Sequence, residues 1–184
     1  MTRVLAMVSL TMLLGGCGYN RIQTLDEQVS AFESQIEVQL QRRYDLVPNL
    51  VEVVRGFAQQ EREIFDAVAS ARAGLGGAIE GGDLQEMATA NQALSGALGR
   101  LIAIAEDNPE IRSNENFMAL QDQLEGTENR ISTARQDYNN AVRAYNAYIR
   151  RFPQVLTAKA IGADAREYFE VSEEAAREPP QVEF

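Results

Sequence analysis

From residue 21 onward the apolar positions of this chain fall at helical spacing. Ile22, Leu25, Val29, Phe32 and Ile36 follow one another at intervals of three and four, which lays one apolar seam along a helix predicted over about 21–43. A second helix is predicted over about 46–73, with Val47, Leu50, Val51, Val54, Phe57, Ala58, Ile64, Phe65 and Val68 on one face. Pro48 falls where the two patterns meet. Proline inside a helix removes a hydrogen bond and crowds the preceding turn. The sequence therefore favours a tight break near Tyr44–Asp45 over one long kinked helix, with Asp45 as N-cap and Pro48 in the tolerated first turn.

The glycine-rich stretch Gly74–Gly82 reads as a flexible connector, with Asp83 capping a third helix over about 84–106. It lacks the Gly-Lys-Ser/Thr ending of a phosphate loop, and no strand pattern precedes it. In the third helix Leu84, Met87, Leu94, Leu98 and Leu101 keep heptad spacing around a polar Asn91, and Asn108-Pro109 ends the pattern. The fourth helix, about 114–152, is the longest, close to 57 Å at about 1.5 Å per residue. Its seam runs Phe117, Leu120, Leu124, Thr127, Ile131, Ala134, Tyr138, Ala141, Tyr145, Tyr148 and Phe152, alternating three and four. Arg150 and Arg151 suit the negative end of its dipole, and Pro153 stops it.

Four amphipathic helices with short connections bury their stripes best as an all-α, antiparallel up-and-down four-helix bundle with a long C-terminal helix, here over 21–156. Phe57, Ile64, Leu98, Leu124 and Ile131 are expected in its core. Residues 157–184 carry a weaker signal, turn acidic, contain Pro179-Pro180 and read as a partly ordered tail.

Composition narrows the function classes. With 184 residues the chain can build one real core, and 27 acidic against 17 basic side chains leave a formal charge of −10. That balance argues against nucleic acid as a partner and against a domain lying flat on anionic lipid. One cysteine excludes an internal disulfide framework and a multi-cysteine zinc site. Without histidine the commonest metal ligand and general base are missing, and a di-iron bundle would need Glu-x-x-His motifs. No cofactor and no metal site are expected, and no catalytic residues are assigned.

The first residues read as an address. Arg3 precedes an apolar run from Val4 to Leu14, about eleven residues, the length of a signal-peptide core and short of the roughly 20 that span a bilayer. Leu14-Gly15-Gly16-Cys17 resembles the lipobox of lipoprotein precursors, in which the cysteine thiol takes a diacylglycerol and cleavage follows between Gly16 and Cys17. Residues 1–16 are thus expected to be a cleaved signal peptide, Cys17 the lipidated residue, and 17–20 a tether. Gly18 stands where aspartate resembles an inner-membrane retention signal, which favours an outer membrane in a Gram-negative cell.

The segment Arg42-Arg43-Tyr44-Asp45-Leu46-Val47-Pro48-Asn49-Leu50-Val51-Glu52 resembles the signature of LemA-family proteins. Tyr19-Asn20, Ala71-Arg72, Asn114-Glu115-Asn116-Phe117, Thr127-Glu128-Asn129-Arg130, Ala134-Arg135, Tyr138-Asn139, Tyr145-Asn146 and Phe152-Pro153 extend the resemblance from Tyr19 to about Phe169. It implies a four-helix bundle on a membrane anchor, with the bulk outside the cytoplasm, and no established reaction. Genes of the family often neighbour envelope proteins and membrane metallopeptidases, and a relative in magnetotactic bacteria is linked to magnetosomes. The chain departs from the family in three places. A lipobox stands where a transmembrane helix is common, Phe32 where tryptophan is usual, and Asn108-Pro109 where Tyr-Pro is usual.

Within the signature, Arg42, Arg43, Asp45, Asn49, Glu128, Asn129, Arg130, Arg135 and Asn139 are the candidate interaction residues. Two readings stay open. They form a polar patch that docks a partner, or they cap and pair helices, Arg43 with Asp45 and Glu128 with arginines of the fourth helix. The function expected is a non-catalytic interaction or scaffold module of the cell envelope, held to the membrane by its lipid and meeting an unidentified envelope protein. The alternatives are a self-assembling membrane-shaping protein, which includes homo-oligomers, and an enzyme of unfamiliar type, which a deep pocket with convergent carboxylates from Glu61 and Glu128 would support.

Overall fold

The computed structural model describes residues 2–58 and 60–170, with residues 2–17 as backbone alone. The described residues form six helices and no strand: α1 (Thr2–Arg55), α2 (Arg62–Gly81), α3 (Leu84–Asp107), α4 (Pro109–Arg112), α5 (Glu115–Ile149) and α6 (Gln154–Ile161). The fold is all-helical, as the hydrophobic period predicts. The Cys17 side chain, the Gly16–Cys17 junction as a processing site and the tail beyond residue 170 lie outside what is described. Two compact units divide the chain: Met1–Gln35 with Ala134–Tyr168, and Ile36–Thr133 with Phe169–Phe184.

In the second unit the predicted break at Tyr44–Asp45 is absent, and α1 runs through Pro48 to Arg55. The reason lies on α2. Proline at 48 cannot donate to the carbonyl four residues back, which belongs to Tyr44. That carbonyl accepts a hydrogen bond from Arg72 Nε at 3.0 Å, and the guanidinium lies 3.7 Å from the centre of the Tyr44 ring. A side chain from the next helix thus replaces the missing backbone donor, and the helix continues. The chain breaks instead after Arg55, where the amides of both Phe57 and Ala58 turn back to Val54 O. Phe57 falls in this turn and is 41% exposed, contrary to its expected place in the core.

Gly74–Gly82 is not a connector either: through Gly81 it is the last turns of α2. A Cβ on Gly76 would sit 2.9 Å from Tyr44 Cε2, so this glycine lets the aromatic ring lie against the helix. The connection is only Gly82 and Asp83. Gly82 adopts φ 72°, the left-handed conformation that closes a helix, and the Asp83 carboxylate accepts from the Gln85 and Glu86 amides to open α3. α2 and α3 pack together as a helical hairpin.

Asn108 then serves two helices, ending α3 with its backbone amide and capping the single turn α4 with its side chain. Asn114 Oδ1 accepts from the Asn116 and Phe117 amides at the start of α5. The core of this unit is formed by Ile36, Leu40, Val47, Leu50 and Val54 of α1, Phe65, Val68 and Leu75 of α2, Leu94, Leu98 and Leu101 of α3, and Phe117, Leu124 and Ile131 of α5. Ile64, expected in the core, is only half-buried.

In the first unit Ile22, Leu25 and Val29 of α1 are buried, as are Ala134, Tyr138, Val142, Tyr145 and Ile149 of α5 and Ala158 of α6. The α5 seam departs from the sequence reading here. Ala141 and Tyr148 are half-buried and Phe152 exposed, while Val142 and Ile149 take the inner positions. A straight helix has 3.6 residues per turn, so a strict heptad stripe drifts about 20° per repeat and the buried line moves over by one residue. The helix also stops at Ile149, ahead of the predicted 152. The cis Phe152–Pro153 peptide leads into α6, which runs across the 156/157 boundary between bundle and tail.

Beyond α6 the chain is tied down without regular structure. The Asn146 side-chain amide donates to Arg166 O at 2.8 Å and accepts from Arg166 N at 2.9 Å. The Arg166 guanidinium donates twice to Asp26 Oδ1, at 3.0 and 2.9 Å. The Tyr138 hydroxyl donates to Glu167 O at 3.0 Å. Burial, with the Glu33 charge adding to it, pushes the Tyr138 hydroxyl up to about 12, so it remains a donor across the physiological range.

Candidate functional site

The continuity of α1 sorts the signature residues by direction. Arg42, Asp45 and Asn49 are spaced three and four apart and form an exposed stripe. Arg43, Val47, Leu50 and Val54 keep the same spacing on the opposite, buried face. Neighbouring residues on a helix point about 100° apart, so the two adjacent arginines part company, one to water and one to the core.

Arg43 is 5% exposed. Its Nη1 donates to Asn91 Oδ1 of α3 at 2.7 Å and to Glu128 Oε2 of α5. Three helices of one unit thus meet at one guanidinium. Burial pushes the Arg43 pKa down, and the charge and hydrogen bond of Glu128 pull it back up. Nε has no partner among the described residues. The Glu128 side chain is 48% exposed, so the carboxylate is half in water and half committed to Arg43.

The expected Arg43–Asp45 pair does not form. Residues two apart on a helix do not face each other, and Asp45 Oδ1 instead accepts from Gln41 Nε2 at 2.9 Å, one turn back. Glu128 likewise takes Arg43 of α1 and not an arginine of its own helix. Asn129 and Arg130 are exposed beside Glu128. Arg135 and Asn139 belong to the other unit, where both are half-buried and engaged with neighbours.

Two residues of this arrangement escaped the sequence reading. Asn91 carried a signal, a lone amide in an otherwise apolar heptad, and such a residue needs a buried partner. Arg72 carried none from spacing, since its role depends on a proline 24 positions earlier. Where α1 gives way to α2, Arg55, Arg62, Phe65 and Asp66 line an open hollow of about 390 Å³, with the Arg55 guanidinium 5.2 Å from the centre of the Phe65 ring. Among the described residues no group of three or more His, Cys, Asp or Glu side chains is placed to hold a metal ion. No helix among them is long and apolar enough to cross a membrane.

The chain is similar to magnetosome protein MamQ 2 of Paramagnetospirillum magneticum, 33% identical over 175 residues that cover 83% of this chain and 64% of the relative. Similarity to magnetosome protein MamQ of Magnetospirillum gryphiswaldense is 31% over 174 residues, covering 82% and 64%. The chain therefore spans a little under two thirds of the length of these relatives. The model of the LemA family matches residues 32–184, which include the α1 signature, the Asn91–Glu128 partners of Arg43 and the whole of α5. The chain belongs to the LemA family.

Proposed function

We propose that this LemA-family chain is a non-catalytic interaction module, an antiparallel up-and-down four-helix bundle held by a lipid on Cys17 to the extracytoplasmic side of a membrane. The observation that carries the reading is Leu14-Gly15-Gly16-Cys17, which places the chain's single cysteine directly after an apolar run too short to span a bilayer. Cleavage between Gly16 and Cys17 would leave the lipid at the first residue of a shortened α1. The outcome expected is a mature N-terminus at Cys17 whose mass includes acyl chains, and a Cys17→Ala precursor that stays uncleaved. A mature protein that begins elsewhere or carries no lipid overturns the anchor.

The exposed stripe Arg42, Asp45 and Asn49, in the second unit, is the face proposed to meet an envelope protein. A contact function places its information on such a surface, whereas catalysis needs sheltered, positioned groups. Arg42→Glu reverses a charge that no core group uses, so stability should shift by only about 0.5 kcal/mol. In crosslinking pull-downs from intact membranes the variant is expected to lose the partner that the unaltered chain captures. A variant that retains every partner puts the binding face elsewhere. The second reading, self-assembly that organises a membrane, is favoured by relatives named for the magnetosome. It is supported if the same crosslinks join copies of this chain.

A further inference from the structure

We propose that the end of the first unit beside residue 17 is a docking face for anionic phospholipid, with Phe152 and Leu156 entering the headgroup region and basic side chains around them meeting phosphates. The proposal rests on the lipid-anchor reading above for its orientation, and on three observations for its chemistry.

The first is exposure. Phe152, between α5 and α6, is 80% exposed and Leu156, in the first turn of α6, is 60% exposed, and Tyr19 and Ile161 are 45% and 38% exposed. Single apolar residues on a surface are ordinary, but the most exposed aromatic side chain described sits here with large apolar neighbours in sequence. An aromatic ring flanked by cations is the composition of membrane-surface segments.

The second is position. Gly18 is buried, and a side chain added there would meet Thr157 Oγ1 of α6 at 3.5 Å. The α6 helix therefore packs against the residue that follows Cys17. A lipid carried by residue 17 would start one residue from this contact, and the bilayer that receives it would be brought near this corner.

The third is charge. The chain carries a net −10, yet residues 18–25 and 138–163 contain no acidic side chain at all and hold Arg21, Arg143, Arg150, Arg151 and Lys159. Arg21, Arg150, Arg151 and Lys159 are exposed. The acidic residues that directly border these stretches are Asp26, which is held by Arg166, Asp137, which is half-buried, and Asp164, which is exposed. Helix dipoles account for Arg150, Arg151 and Lys159 near helix C-termini. They do not account for Arg21, for the absence of carboxylates or for an open Phe152. Net negative charge opposes a protein lying flat on anionic lipid, but it does not oppose a basic tip.

The chain contains no tryptophan, so Phe152→Trp supplies a single reporter. Gln136→Trp, at an exposed α5 position of the same unit about 20 Å up the helix from its end at Ile149, is the control. The protein as purified from membranes is reconstituted into vesicles of phosphatidylethanolamine with or without phosphatidylglycerol. The reporter at 152 is expected to shift to the blue and to be quenched by brominated phosphatidylglycerol at least roughly twofold more than the control. Arg150→Glu with Arg151→Glu and Lys159→Glu should abolish that difference while the lipid mass on Cys17 is unchanged. A lipidated protein whose position 152 is quenched no more than position 136 overturns the docking face and leaves the anchor standing. If mass spectrometry finds no lipid, the anchor reading fails. The same reporter on the unlipidated chain, with phosphatidylglycerol vesicles added, then decides the face alone: quenching supports it and its absence overturns it.

Discussion

Glu128→Ala should destabilise the protein by about 2–3 kcal/mol, and Arg43→Met by about 1 kcal/mol, although the two residues form one pair. The asymmetry follows from where water reaches. Arg43 is 5% exposed, so losing Glu128 leaves a buried cation with the Asn91 carbonyl alone. Removing one partner of a fully buried pair costs about 3–5 kcal/mol. The Glu128 side chain is 48% exposed, which screens the attraction it supplied and lowers that range. In the opposite variant, methionine fills most of the volume of the arginine stem with no charge to desolvate. Glu128 turns to solvent, and the main loss is the donor to Asn91 Oδ1. Arg43→Glu should exceed both, because it sets a second carboxylate against Glu128. Urea unfolding midpoints at constant slope measure the order. A methionine variant less stable than the alanine variant would show that the guanidinium is a net stabiliser and that the desolvation argument is wrong.

This ordering separates two meanings of a charged signature. Arg42 and Arg43 are indistinguishable as letters, and both were legible as candidates. Only the register of α1 tells which belongs to the surface, and that register depends on whether the helix is broken at Asp45. The sequence speaks clearly where one helix carries its own signal: Asp83 as a cap, Asn108-Pro109 as a stop, and the α5 seam as far as Tyr138 apart from a half-buried Leu120. It misleads where a residue of one helix is satisfied by another. Pro48 and the Gly74–Gly82 run both read as breaks because their local cost is real. Their compensation, Arg72 on the Tyr44 carbonyl and the Tyr44 ring against Gly76, is tertiary. Phe57 and Ile64 were misplaced for the same reason, since moving the break by about a dozen residues exposes one and half-exposes the other.

The compensation at Pro48 can be measured directly. Arg72→Ala in the unaltered chain should cost about 2 kcal/mol, from an unpaired Tyr44 carbonyl and the lost stacking on the ring. Pro48→Ala should stabilise by about 1 kcal/mol. That is below the roughly 3 kcal/mol by which alanine exceeds proline in a helix interior, because the surrounding fold already accommodates the ring. The informative quantity is the coupling between them. With Pro48→Ala in place, the new amide at position 48 donates to Tyr44 O, and Arg72→Ala then forfeits only the stacking, about 1 kcal/mol. The double-mutant cycle should therefore return a coupling of about 1 kcal/mol between two residues that need not touch, carried by the single carbonyl oxygen they compete to serve. Arg72→Lys should not rescue, because an ammonium cannot stack on the Tyr44 ring at 3.7 Å and present a planar donor to the carbonyl at once. Equal costs of Arg72→Ala in both backgrounds would mean that Tyr44 O is satisfied some other way, and that α1 passes through Pro48 without help from α2.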